Sequence, residues 1–175
     1  LYKKYPVWDC VIAENGSCVY FPSSELVWRF TSEKFEEAKR ILKKSKFPAN
    51  FNYGIISVSK LLETKLKEAL KIIIGYIGFK TNVDEVMVLP RGIDKGVSVK
   101  LALNYLGIEP KKTIVIGDGE NDIDLFTNPG FKIAVANADE RLKLFADEVT
   151  KKPSTKGILE IIEKLVKVPP SHLLI

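Results

Sequence analysis

The chain has 175 residues, 46% of them hydrophobic and 28% charged, with a formal net charge of +5. That is enough apolar material for one ordinary domain or for a core with a smaller lobe. No apolar stretch reaches the ~20 residues of a membrane-spanning helix, and the Lys residues alternate with Glu along helical patterns such as "EKFEEAKRILKKSK", which excludes a membrane span and argues against a nucleic-acid partner.

Residues 7–21, "VWDCVIAENGSCVYF", read as two strands around Asn15-Gly16, a dipeptide that favours a two-residue type I′ turn. In that register Cys18 faces Ala13 and Cys10 faces Phe21, so the thiols point to opposite faces. No disulfide is expected, and a reducing, cytoplasmic setting suits the pair. "TSEKFEEAKRILKKS" is an amphipathic helix capped by Thr31 or Ser32, with Phe35, Ala38, Ile41 and Leu42 as its apolar stripe. "NYGIISVS" reads as a strand, residues 60–73 as a helix, and "DEVMVL" as a strand ending before Pro90. Residues 22–89 thus form a small α+β unit.

From Pro90 the rhythm changes. Helix 95–106, strand 113–116, short helix 122–126, strand 132–136, helix 139–145, strand 148–150 and helix 155–166 follow in turn. Such alternation predicts a doubly wound α/β core, a mostly parallel sheet with helices on both faces. Ligands bind at the carboxyl ends of strands in sheets of this kind.

One such end is crowded with acids. "TIVIGDGENDIDLF" places Asp118 directly after a β-branched run, with Asp122 four residues on across Gly119. Hard cations such as Mg²⁺ take a few carboxylates plus waters and phosphate oxygens, and these two can converge on one ion. Asn121 can donate an amide hydrogen bond to a phosphate oxygen. A helix N-terminus enriched in acids by its dipole is the competing account; it explains Glu120 and Asp122 but not a Gly-Asp-Gly turn at a strand end. Upstream, in "PRGIDKGVSVKLALNYLGI", Asp94 reads as an N-cap and leaves Lys95 in the first helical turn, where an ammonium suits a phosphate.

Taken together, "IDKGVSVKLALNYLGI", "TIVIGDGENDIDLF", "KIAVANADERLKLFADEVT" and "KGILEII" resemble the haloacid dehalogenase-like phosphatases, most of all the archaeal phosphoglycolate phosphatases of the sucrose-phosphatase-like branch. "IAENG" and the α+β unit after it fit that layout, in which a cap is inserted into the core. The resemblance implies core at 1–21 and 90–175 and cap at 22–89. It also implies that Lys95 contacts the substrate phosphate, that Asp118 and Asp122 bind Mg²⁺, and that Asn121 positions the phosphoryl group.

The family's chemistry begins with a D-x-D-G motif at the end of the first core strand, whose first Asp forms an aspartyl-phosphate. These 175 residues contain no D-x-D-G, nor the second motif's Ser or Thr at a strand end before the cap. Asp9 stands out of motif order and is set aside as a nucleophile. His172, the single histidine, is set aside as a tail residue. Without the family's first strand, the Ile- and Val-rich edge of residues 113–116 would be left open. With Leu1 at the start and Met87 as the lone methionine, the expectation is an N-terminally incomplete sequence whose nucleophile lies upstream of Leu1.

The expected function is Mg²⁺-dependent hydrolysis of a small phosphorylated metabolite, 2-phosphoglycolate by resemblance. A sugar phosphatase and a catalytically silent phosphate- or metal-binding fragment are the alternatives. A homodimer is left open.

Overall fold

A computed structural model gives the fold and describes residues 7–127 and 130–167. His172 lies outside these residues. The chain divides into two units, Leu1–Ala102 and Leu103–Ile175.

The first unit opens with β1 (Val11–Ala13), β2 (Cys18–Phe21) and β3 (Leu26–Arg29), an antiparallel meander in that order. Ala13 faces Cys18, as the Asn-Gly turn requires, and both cysteines are free thiols. The Ser17 N–H donates to the Glu14 carbonyl at 3.1 Å, while Asn15 (φ 50°) and Gly16 (φ 104°) take the left-handed angles of a type I′ turn. β3 is too short a pattern to stand out in the sequence; its pairing with β2 carries the meander past residue 22.

Helix α1 (Glu33–Lys44) starts at Ser32, whose side chain accepts the Phe35 N–H at 3.2 Å, and it ends on Lys43 and Lys44. Of the two candidate caps, Ser32 is the one in use. Its buried stripe of Phe35, Ala38 and Leu42 belongs to one apolar cluster with Ile56, Val58, Val86 and Val88. Those four come from an antiparallel sheet in the order β4 (Asn50–Phe51), β5 (Ile56–Ser59), β7 (Glu85–Pro90), β6 (Ile77–Asn82). Residues two apart share a strand face, which is why Ile56 and Val58 bury together and Val86 and Val88 do likewise.

Helix α2 (Glu63–Ala69) is shorter than the predicted span. The β-branched run Ile72-Ile73-Ile74 and Gly75 are poor helix formers. The chain turns there instead, burying Leu70 and Ile73 before it enters β6. β6 escapes the sequence reading because its order comes from pairing: Asn82 faces Glu85 across the turn and the ladder runs back to Ile77–Pro90. Leu42 is fully buried in this cluster. Leu42→Ala is therefore expected to cost about 3 kcal/mol, read as a lower urea midpoint at unchanged slope; a loss well under 1 kcal/mol would show that this packing does not hold the unit together.

Helix α3 (Lys95–Tyr105) runs from the first unit into the second. The second unit is a parallel sheet in the order β10 (Glu148–Val149), β9 (Phe131–Ala134), β8 (Ile114–Gly117), with α4 (Ile123–Phe126), α5 (Glu140–Lys143) and α6 (Ser154–Lys167) between and after the strands. Phe126, Ala134, Val135, Ala138 and Leu142 form its core. Among the described residues β8 is an outer strand of this sheet, and Ile114, Val115 and Ile116 are half-buried. No helix among the described residues is long and apolar enough to cross a membrane.

Candidate functional site

The run Ile114-Val115-Ile116 stops at Gly117 because the chain turns back against itself there. A Cβ on Gly117 would sit 2.9 Å from the Asp122 Cβ and 3.2 Å from Leu142 Cδ2. With no side chain in the way, one oxygen of Asp122, Oδ2, accepts the Asp118 N–H at 3.0 Å and the Gly119 N–H at 3.2 Å. Asp122 is 7% exposed, whereas Asp118 is open to solvent. The spacing of four therefore does bring the two carboxylates to one turn. It also gives Asp122 a second task that the sequence does not reveal: it braces the backbone that presents Asp118.

Asn121 folds over the same turn, since a Cβ on Gly119 would lie 2.6 Å from its Oδ1. The Asp118 carbonyl accepts the Asp139 N–H at 2.9 Å, tying the turn to the N-cap of α5. Arg141, on α5, reaches Glu120 at 2.7 Å and the Asp139 carboxylate at 3.2 Å. Hydrogen bonding to that guanidinium holds the Asp139 carboxyl below the usual aspartate range. Asp118 and Asp122 line a cleft of about 240 Å³ together with Ile116, Val135, Ser154 and Ile158.

This donor set suits a hard, hydrated cation. Among the described residues no group of three or more His, Cys, Asp or Glu gathers as a protein-only metal cage. Two adjacent carboxylates beside an open cleft match instead an ion such as Mg²⁺, which keeps several waters and leans on substrate phosphate oxygens. The site fits the metal.

Lys95 belongs to the first unit, as the first residue of α3. Asp94 caps that helix as predicted, accepting the Val97 N–H at 2.8 Å. The Glu14–Gly16 turn is seated against the same helix start by Ser98 Oγ, which donates to the Gly16 carbonyl at 2.6 Å, and is held to the segment between β4 and β5 by Glu14, which accepts the Gly54 N–H at 2.6 Å. The structure thus gathers Asp118, Asn121 and Asp122 in one turn of the second unit, and places Lys95 at a braced helix start in the first. Arg141, Glu14 and Ser98 are the supporting residues that sequence reading misses, because their partners lie 21, 40 and 82 residues away.

The chain is similar to known proteins over most of its length. A family model described as haloacid dehalogenase-like hydrolase matches residues 55–162. The phosphoglycolate phosphatase of Archaeoglobus fulgidus is 40% identical over 169 residues, covering 93% of this chain and 75% of the relative. Phosphoglycolate phosphatase 2 of Saccharolobus solfataricus is 35% identical, covering 89% of this chain and 66% of the relative. Among solved structures, Thermoplasma acidophilum protein 0175 superposes with a TM-score of 0.76 at 18% identity, covering 94% of this chain and 76% of the other. The sucrose-phosphatase of Synechocystis, solved with sucrose and phosphate, superposes with a TM-score of 0.65 at 22% identity, covering 94% and 78%.

Proposed function

The chain belongs to the haloacid dehalogenase-like hydrolases, and from that membership we propose a Mg²⁺-dependent phosphatase whose substrate is 2-phosphoglycolate. The observation that carries the metal-dependent reading is the turn at the end of β8, where Asp122 braces an exposed Asp118 beside an open cleft. The substrate is supported by the similarity to phosphoglycolate phosphatases over most of the chain.

Asp118 and Asp122 would hold the cation. Bound there, Mg²⁺ would supply positive charge to the oxygens of a transferring phosphoryl group. The Lys95 ammonium, at a helix N-terminus, would neutralise further phosphate charge, and the Asn121 amide would donate to a phosphate oxygen and orient it. The Asp-x-Asp-Gly motif, whose first carboxylate attacks phosphorus and whose second moves the proton, does not occur in these 175 residues. Neither the nucleophile nor the acid–base group is therefore assigned to a residue of this chain.

The test is phosphate release by the protein expressed from its full reading frame, with and without chelator, on 2-phosphoglycolate and a panel of sugar phosphates. Chelator-sensitive release that is fastest from 2-phosphoglycolate is the expected result. Preference for a sugar phosphate would move the assignment to a sugar phosphatase, and cation binding without any release would leave a silent binding protein. In the same assay Lys95→Ala is expected to lower kcat/KM about a hundredfold. Undiminished turnover in that variant would remove Lys95 from the site.

A further inference from the structure

We propose that Arg141 is a positioning residue for Asp118, acting as a clamp that sets the acidic turn for its cation. The role rests on the metal reading given above. The turn after β8 carries Asp118, Glu120, Asp122 and Asp124 within seven residues, and Asp139 and Glu140 open α5. Like charges so placed repel one another, and an exposed turn under that strain would splay. Arg141 opposes this with both edges of its guanidinium: Nη1 donates to Glu120 Oε1 at 2.7 Å, Nε to Asp139 Oδ1 at 3.2 Å and Nη2 to Asp139 Oδ2 at 3.3 Å. Asp139 in turn is joined to the turn through its own N–H, which donates to the Asp118 carbonyl at 2.9 Å. Glu120, through Arg141, and the backbone of Asp118, directly, are thus both fastened to Asp139.

Charge and geometry predict opposite signs here. Arg141 is 59% exposed and its ion pairs contribute little to overall stability. If it acted through charge alone, deleting it would make the turn one unit more negative and tighten cation binding. If it acts by holding the turn, deleting it loosens Asp118 and weakens binding. The fork geometry matters too: a lysine ammonium is a point charge and cannot span Glu120 and Asp139 in the same way.

The experiment is Mn²⁺ titration of the protein expressed from its full reading frame, followed by electron paramagnetic resonance, for the unaltered protein and for Arg141→Ala, Arg141→Lys, Glu120→Gln and Asp118→Asn. Thermal melts serve as the control for folding. Arg141→Ala is expected to raise the Mn²⁺ Kd about tenfold, the size found when groups supporting a metal ligand are removed. Arg141→Lys is expected to recover little of that loss, and adding Glu120→Gln to Arg141→Ala to cause no further loss. Binding by Arg141→Ala that equals or exceeds that of the unaltered chain, while Asp118→Asn has lost it, overturns the clamp and leaves the metal reading standing. An unaltered chain that shows no saturable Mn²⁺ binding, or an Asp118→Asn chain that binds normally, removes the metal reading and the clamp with it.

Discussion

Asp118→Asn is expected to abolish chelator-sensitive phosphate release by the protein from its full reading frame, by at least about a thousandfold, while leaving the fold intact. Both halves follow from the turn. The Asp118 side chain is exposed, and the hydrogen bond that shapes the turn uses its backbone N–H and not its carboxylate. Asparagine keeps that N–H, the side-chain volume and the polar character, and loses only the charge a cation would meet. Stability should move by no more than about 0.5 kcal/mol. Asp122→Asn makes the informative contrast. Its Oδ2 accepts two backbone N–H groups from a nearly buried position, so neutralising it weakens charge-assisted hydrogen bonds as well as cation binding. A stability loss of about 2 kcal/mol is expected there and not at Asp118. Equal losses in the two variants would mean that Asp118 also braces the fold; retained turnover in Asp118→Asn would end the site assignment.

Gly16→Ala is expected to be the most damaging single-methyl change in the first unit. Gly16 sits at φ 104°, and a Cβ there would lie 2.2 Å from the Asp94 carbonyl oxygen and 2.5 Å from its carbon. Those are backbone atoms at the start of α3 and cannot swing aside. The cost combines left-handed strain with a steric clash, so about 4 kcal/mol or outright unfolding is expected from urea or thermal melts. Gly92 separates the two causes. It too has a left-handed φ, 78°, but a Cβ there would meet nothing within 4 Å. Gly92→Ala should therefore show the strain alone, about 1 kcal/mol. If the two variants melt together, the close approach of the Asn15-Gly16 turn to α3 is not what holds Lys95's helix in place.

Much of this protein is legible in its sequence because the signals are local. The stripe of α1, the Asn-Gly turn with its Ala13–Cys18 register, the Asp94 cap and the alternation of strand and helix after Pro90 each depend on side chains within a turn or two of one another. The pairing of Asp118 with Asp122 across Gly119 is local in the same sense, and so are the residue types that suit a hydrated cation and a phosphate. Other features were settled by contacts that sequence patterns do not encode. The chain leaves α2 early because burying Leu70 and Ile73 outweighs continuing a helix through three isoleucines and a glycine. β3 and β6 are strands because β2 and β7 offer them partners. Asp122 is near Asp118 in sequence, but only the folded turn shows that one of its oxygens takes the Asp118 and Gly119 N–H groups. Arg141 reaches the acidic turn and Gly16 the first turn of α3 only in the fold, because contacts between residues 21 to 82 positions apart exist only once the backbone has brought them together.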